Sequence, residues 1–498
     1  MDITAAPVPP AAPTSRLSGA LPLHFQPATE LAARIRAREV SAVELVNLHL
    51  DRIHQHHPAL NAVVTLDEER ARRRAREADE ALSRGEVWGP LHGVPMTIKD
   101  GIETAGLRTT GSYKAYADHV PAEDATVVAR LRAAGAILLG KTNLPRMSGD
   151  MQCNSPLFGR TNNPWDLART PGGSTGGGAA AIAAGLSPLE IGTDLGGSVR
   201  IPAHFCGIYS LKPTEHRVSL AGVLQGAPGV PGFVRHCLTA GPLARSVADL
   251  RLALQLIAGP DGRQRDVPPV PLGAPSPRDI ATCRVAWSDD IGGHAPSEET
   301  RAAMRRAATA LTAAGCHVEE RPIPGLDWEQ AWSCWPSLGW ADGVAMSPRW
   351  VAWMMRGIGS YGDTIQRGMG RAAALDVRGK QAALAARDRL LDAVEQFLAG
   401  WDAWLCPTSL IPAFAHQRSY APIRVDARRE SYMIAAGGPT CVFNVTGNPV
   451  VVIPAGRTPG GLPIGVQVVG RLWGDMETLA VAEAISGVLG GFVPPPGF

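Results

Sequence analysis

The chain has 498 residues, 45% hydrophobic and 19% charged, the composition of a soluble globular protein long enough to bury a large core. With 48 basic and 46 acidic residues the formal charge is +2, which leaves no general electrostatic footprint for nucleic acid or an anionic membrane surface. No apolar run is long enough to span a bilayer, so no membrane partner is expected.

Residues 1–17, "MDITAAPVPPAAPTSRL", lack the basic and apolar regions of a secretory signal and read as a flexible Pro/Ala-rich tail. Residues 18–498 then read as one large domain. The eight cysteines are scattered without a C-x-x-C pair, which points to free buried thiols and a cytoplasmic, reducing setting.

In chain order, "ATELAARIRARE" and "SAVELVNLHLDRIHQ" carry apolar residues at helical spacing, and Ser41 with Glu44 makes a capping box. "NAVVTL" is a short strand, "DEERARRRAREADEALSRG" a charged helix, and "HGVPMTIKD" a strand ending at Lys99. "DATVVARLRAAG" reads as a helix with an Asp cap and a Gly stop, followed by the buried strand "AILLG". This alternation predicts an α/β fold, a single large α/β/α sandwich around a mixed, largely parallel central sheet. A Pro-rich passage, "DVPPVPLGAPSPRD", is a linker or long surface loop, after which "CRVAWSDD", "DAWLCPTSL", "NPVVVIP" and "PIGVQVVG" supply late strands able to rejoin the same sheet.

Six of the twelve tryptophans crowd between Trp328 and Trp353, with Met346, Met354 and Met355 around them. This cluster lies in a helical region at about 325–395, where it either packs a core or walls an apolar pocket.

Two short motifs mislead. "GAILLGKT", residues 135–142, satisfies the P-loop pattern, yet Ala-Ile-Leu-Leu favours a buried strand over a flexible phosphate loop. "GGSTG", residues 172–176, satisfies the nucleophile elbow of α/β-hydrolases and would draw on Asp363 or Asp402 with His416. The preceding "NNPWDLARTP" is turn-forming, so the required strand is missing.

The residues fit a different constellation better. Ser174 and Ser198 stand 24 positions apart in separate glycine-rich turns with no histidine between them. A serine needs a base to become a nucleophile. Lys99 at the end of an apolar strand can serve, because burial lowers a lysine's pKa toward neutrality. The turn "DLGGS" can gather backbone N–H groups around one point, as an oxyanion hole requires, at the carboxyl end of the strand "PLEIG".

"HGVPMTIKD", "GKTNLP", "SPLFGRTNNPWD", "PGGSTGGGAAAIAAG", "GTDLGGSVRIPA" and "GIYSLKPT", in this order over residues 93–214, resemble the amidase signature family. A weaker echo, "GLPIGVQVVG", lies near the C-terminus. The resemblance implies hydrolysis of C–N bonds in small amides, and by the same chemistry of aryl esters or carbamates, without metal or cofactor. It makes Ser198 the nucleophile, Ser174 a bridging serine that follows a cis peptide, and Lys99 the base. Leu195, Gly196, Gly197 and Ser198 would supply the oxyanion hole, Thr175, Asp194 and Arg200 would support the turn, and Ser148 and Gly149 would meet the substrate. The implied partner is a small-molecule amide, ester or carbamate, with the chain a monomer or homodimer. Two alternatives within the same fold are the A subunit of a tRNA-dependent amidotransferase and a catalytically dead binding protein. The chain departs from the family pattern at Thr175 and Gly178, where serine is common, and at Arg146, where an acidic residue often stands.

Overall fold

Local signals in the first hundred residues produce the elements that carry the rest. The helices α1 (Ala28–Arg36) and α2 (Ala42–Leu60) form as expected, the second opened by the Ser41–Glu44 capping box, with Glu44 N donating to Ser41 Oγ at 3.1 Å. Strand β1 (Val63–Leu66) and helix α3 (Glu68–Ser83) follow, the helix burying Ala71, Ala75 and Ala78. This computed structural model describes residues 21–498 except 225–231, 233, 275, 346–352 and 354–361. The expected N-terminal tail, Trp350, Met346, Met354 and Met355 therefore lie outside the described residues.

Strand β2 (Pro95–Lys99), helix α4 (Thr126–Ala133) and strand β3 (Ile137–Thr142) make the first parallel unit, with Lys99 opposite Thr142. The Asp cap expected on α4 is not made. Asp124 instead accepts from Ala105 N at 2.7 Å and pairs with Arg132 at 2.8 Å, a stronger claim on a carboxylate than one helix-end amide. The P-loop match falls largely on β3 and is a strand, as its apolar residues require.

The hairpin β4 (Asn154–Ser155) and β5 (Gly159–Arg160) precedes α5 (Gly176–Ala183), β6 (Leu189–Asp194), α6 (Arg200–Cys206), β7 (Tyr209–Lys212), β8 (Thr239–Ala244) and α7 (Val247–Ile257). Next come β9 (Arg284–Trp287), α8 (Glu298–Ala313), β10 (His317–Glu320) and, among the described residues, the helices α9 (Trp328–Gly339), α10 (Ala341–Ala345), α11 (Thr364–Ala372) and α12 (Val377–Leu398). The chain closes with β11 (Ala403–Pro407), β12 (Ile423–Val425), β13 (Arg428–Glu430), α13 (Tyr432–Val445), β14 (Val450–Arg457), β15 (Pro463–Val469) and α14 (Asp475–Leu489).

Eleven strands share one mixed sheet in the order β1-β3-β2-β6-β8-β7-β14-β15-β11-β9-β10. Parallel ladders join β3, β2 and β6 near one end and β11, β9 and β10 at the other, while the ladders from β6 through β8, β7, β14 and β15 to β11 are antiparallel. Strands on both sides of the Pro-rich stretch belong to this sheet. Alternation along β2 sends Met96 and Ile98 into a core shared with α1, α4, α7, α8 and α14, and turns Thr97 and Lys99 toward the other face, where α5 packs. All eight cysteines are buried and free. No helix among the described residues is long and apolar enough to cross a membrane.

Gly140, the second glycine of the P-loop match, is needed for close strand packing, because a Cβ there would collide with Thr65 O on the adjacent strand β1. Gly140→Ala should cost about 1–3 kcal/mol of stability, read as a lower Tm. Nucleoside triphosphate should leave the Tm of the unmodified protein unchanged.

Candidate active site

Lys99 ends β2 and is completely buried, with Nζ hydrogen bonded to Ser174 Oγ at 2.6 Å and donating to Thr193 Oγ1 at 2.9 Å. Burial pushes its pKa down to about 7, against the upward pull of the acids Asp194 and Glu190. A neutral amine with a free lone pair is thus accessible near neutral pH. Ser174 is buried at the start of the turn into α5, and the peptide joining it to Gly173 is cis. Gly172 before it has φ +86°, and a Cβ there would press on the Pro202 backbone of α6.

Ser198 follows the end of β6 in the turn to α6. It is only half-buried, and its Oγ makes no hydrogen bond among the described residues. Thr175 N donates to Ser198 O at 3.0 Å, tying the two serine turns together. Near Ser198 opens a narrow cleft of about 40 Å³ lined by Ser148, Gly149, Asp150, Leu195, Gly196, Trp335, Trp340 and Met369, among others. Ser148 and its neighbour Met147 both adopt left-handed backbone, φ 59° and 47°, which bends this loop toward the cleft. Arg146 is exposed and lies over the Tyr113 ring at 4.8 Å.

The turn between β6 and α6 is held from inside. Asp194 accepts from Gly197 N at 2.8 Å and Val199 N at 3.1 Å, and Arg200 grips the same carboxylate through Nε and a terminal nitrogen at 3.1 and 2.9 Å. Burial pushes this carboxyl's pKa up, but the guanidinium, Asn444 and the backbone donors outweigh it and hold Asp194 well below the usual carboxylate range. Arg200 also reaches Thr440 O at 2.8 Å, Gln467 Oε1 at 2.7 Å and Asn444 Oδ1 at 2.6 Å.

These contacts correct one expectation. Gly197 N–H is spent on Asp194 and is not free for an oxyanion, because the carboxylate sits on the inner side of the turn. The N–H groups of Leu195, Gly196 and Ser198 have no acceptor among the described residues. Trp335 Nε1 donates to Leu195 O at 2.6 Å and Thr440 Oγ1 to Gly196 O at 2.8 Å. Because a trans peptide points its N–H opposite its carbonyl, the Trp335 bond fixes the direction of the Gly196 N–H.

The tryptophan cluster divides. Trp332 is core, with Nε1 donating to Gly438 O at 2.9 Å; Trp335 and Trp340 line the cleft; Trp353 is exposed. Sequence reasoning missed Thr193, Trp335 as a carbonyl clamp, Thr440, Asn444 and Gln467. Thr193, the first residue of "TDLGGS", could have been found as a hydroxyl next to the turn. The others carry no motif.

No Ser-His-acid arrangement forms among the described residues. His416 lies beside Ala168, its backbone N donating to Ala168 O at 3.1 Å and its Nε2 unpartnered among the described residues. Asp363 caps α11, accepting from Gln366 N at 2.7 Å, and Asp402 accepts from Arg284 N at 2.8 Å. Glu215, His216 and His236 form the one acidic and histidine cluster compact enough for a metal among the described residues, but Arg387 already donates to both Glu215 and His236. A cation therefore already occupies that place.

Arg200→Ala would leave Asp194 charged and unpaired in the interior, at a cost of about 3–5 kcal/mol. Soluble yield and Tm should both fall, and Arg200→Lys, which keeps the charge but loses the fork, should lie between that variant and the unmodified protein.

The family model described as Amidase matches residues 44–479. The chain is 35% identical over 479 residues to an acylamidase of Rhodococcus erythropolis, covering 94% of this chain and 96% of that enzyme. It is 33% identical over 485 residues to the A subunit of glutamyl-tRNA(Gln) amidotransferase from Roseiflexus sp. (strain RS-1), covering 93% and 96%. Among solved structures, 6-aminohexanoate cyclic dimer hydrolase complexed with substrate superposes with a TM-score of 0.78 at 29% identity, over 95% of this chain and 99% of that one. With the family model spanning most of its length, the chain belongs to the amidase signature family, whose members include hydrolases of amides.

Proposed function

We propose that this protein hydrolyses small amides with an apolar acyl or amine group, through Ser198 as nucleophile, Ser174 as relay and Lys99 as base. The observation that carries this reading is the 2.6 Å hydrogen bond between a fully buried Lys99 and Ser174, whose turn is tied through Thr175 N to the carbonyl of a half-buried Ser198 at a cleft. Ser198 Oγ attacks the carbonyl carbon and passes its proton to Ser174 Oγ, whose own proton moves to Lys99 Nζ. The oxyanion is met by the free N–H groups of Leu195, Gly196 and Ser198. The proton returns along the same path to the leaving amine, and water then cleaves the acyl-enzyme by the reverse relay. Trp335, Trp340 and Met369 favour aryl or alkyl substituents, and Ser148 and Gly149 border the scissile group. Aryl esters and carbamates fit the same steps, since the oxyanion site does not discriminate the leaving heteroatom.

A role as the A subunit of an amidotransferase would require partner subunits, and co-purification or a shift in gel filtration on adding them would reveal it. Hydrolysis of a p-nitroanilide or aryl amide by the purified chain alone supports a free-standing hydrolase.

Exposure to a fluorophosphonate probe, read by intact mass, should label the unmodified protein and His416→Ala but not Ser198→Ala, with amide turnover in Ser198→Ala down by about a thousandfold or more. Labelling retained in Ser198→Ala and lost in His416→Ala would overturn the assignment.

The pH dependence follows from Lys99, which accepts a proton only as the free amine. With its pKa depressed to about 7, kcat/KM should rise as pH increases through about 7 and level off above it, whereas an ordinary surface lysine would place that rise near 10.

A further inference from the structure

Glu190 stands on β6 with its side chain entirely buried, and no step above uses it. It pairs in register with Thr97 on β2, and Lys99 pairs with Thr142 on β3. By strand alternation Thr97, Lys99, Thr142, Glu190 and Asp194 therefore share the face beneath α5. Thr142 Oγ1 donates to Glu190 Oε1 at 2.6 Å, while Glu190 Oε2 has no hydrogen-bond partner among the described residues.

The space for this carboxyl comes from Gly178. A Cβ on Gly178 would lie 2.6 Å from Glu190 Cγ and 2.8 Å from its Oε1. The side chain that Gly178 lacks and the buried acid would occupy the same space.

We propose that Glu190 is a positioning residue for the base: lodged where Gly178 leaves room, its carboxyl favours the ammonium that Lys99 becomes when the proton arrives from Ser198 through Ser174. This rests on the triad reading above. The groups whose charge reaches Lys99 are Asp194, Cys153 and Glu190. Asp194 is already paired with Arg200 and two backbone amides, and burial pushes the Cys153 thiol up to about 11, so it stays neutral. That leaves Glu190 as the nearby acid that no guanidinium, ammonium or backbone amide hydrogen bonds among the described residues, with Lys141 and Lys99 as the cations that feel its charge. Burial raises its pKa to about 7, against the Thr142 and Thr97 hydroxyls and the cations of Lys141 and Lys99. Lys141, which alternation places on the opposite face of the sheet, is held by Ile102 O and by Thr104 Oγ1 at 2.8 Å, with Asp100, Glu190, Arg132 and Asp124 as its charged neighbours. From α5 the group facing Glu190 is the side-chain-free Gly178.

The sign is fixed. A negative neighbour raises the pKa of a lysine, so its removal lowers that of Lys99 and moves the acid limb of kcat/KM to lower pH. The base is then also weaker on the plateau.

The test measures kcat/KM and the rate of fluorophosphonate labelling against pH for the unmodified protein, Glu190→Gln, and the double variant Gly178→Ser/Glu190→Gly, with Tm as the check on folding. Glu190→Gln, nearly isosteric, should move the limb down by about one pH unit and lower plateau kcat about three- to tenfold, with KM little changed. The double variant refills the space without a carboxyl and should show the same shift. A limb that stays in place in either folded variant overturns the proposal, and failure of both to fold does so too by making Glu190 a packing residue. Ser198→Ala, labelled in parallel, separates the two readings: retained labelling there removes the triad itself, whereas lost labelling with an unmoved limb removes only the role of Glu190.

Discussion

The buried pair of Asp194 and Arg200 is the contact on which the site depends. Two opposite charges withdrawn from water are stable only when nearly every donor and acceptor is matched. In this turn the carboxylate takes the amides of Gly197 and Val199 together with the guanidinium and Asn444, and the guanidinium goes on to Gln467 and the Thr440 carbonyl. The pair thereby welds the end of β6, the start of α6, α13 and β15 into one rigid unit. The turn carrying Ser198 has little freedom left, which is the preorganisation an oxyanion site requires.

Burial of Lys99 is the second constraint, and it acts through electrostatics. The same desolvation that would destabilise an ammonium brings the amine within reach of neutral pH. Its hydrogen-bonding neighbours among the described residues are hydroxyls, Ser174 and Thr193, which are neutral and can both donate and accept a hydrogen bond. The acidic residues nearby lie further back, one committed to Arg200 and one sharing the face with α5.

Much of this was legible in the chain. The period-2 run "PMTIK", ended by Asp-Gly, specifies a strand with a lysine at its tip, and β2 ends at Lys99. Ser41 and Glu44 specify a helix start that the structure reproduces. The Asp124 cap fails because a loop amide outside the helix pattern, Ala105 N, and Arg132 in the last turn of α4 itself compete for the same carboxylate. Gly197 escapes local reading for a related reason: a glycine turn announces that N–H groups converge, but not which of them a neighbouring carboxylate will take. Trp335 is visible in the chain only as one tryptophan in a cluster, with nothing to say that its indole would reach a carbonyl 140 residues away.

By itself, then, the sequence determined the elements and the glycine turns, with Lys99 at a strand end and Ser174 and Ser198 in those turns, because periodicity and turn chemistry act over a few neighbouring residues. Tertiary structure decided which backbone donors stay free, which tryptophans face the cleft, and that Glu190 sits beneath Gly178 on the face of Lys99. Those outcomes depend on the strand order β3-β2-β6 and on hydrogen bonds that join residues up to 267 positions apart, as between Arg200 and Gln467. No local pattern encodes such partners, because each exists only once the sheet has brought its strands side by side.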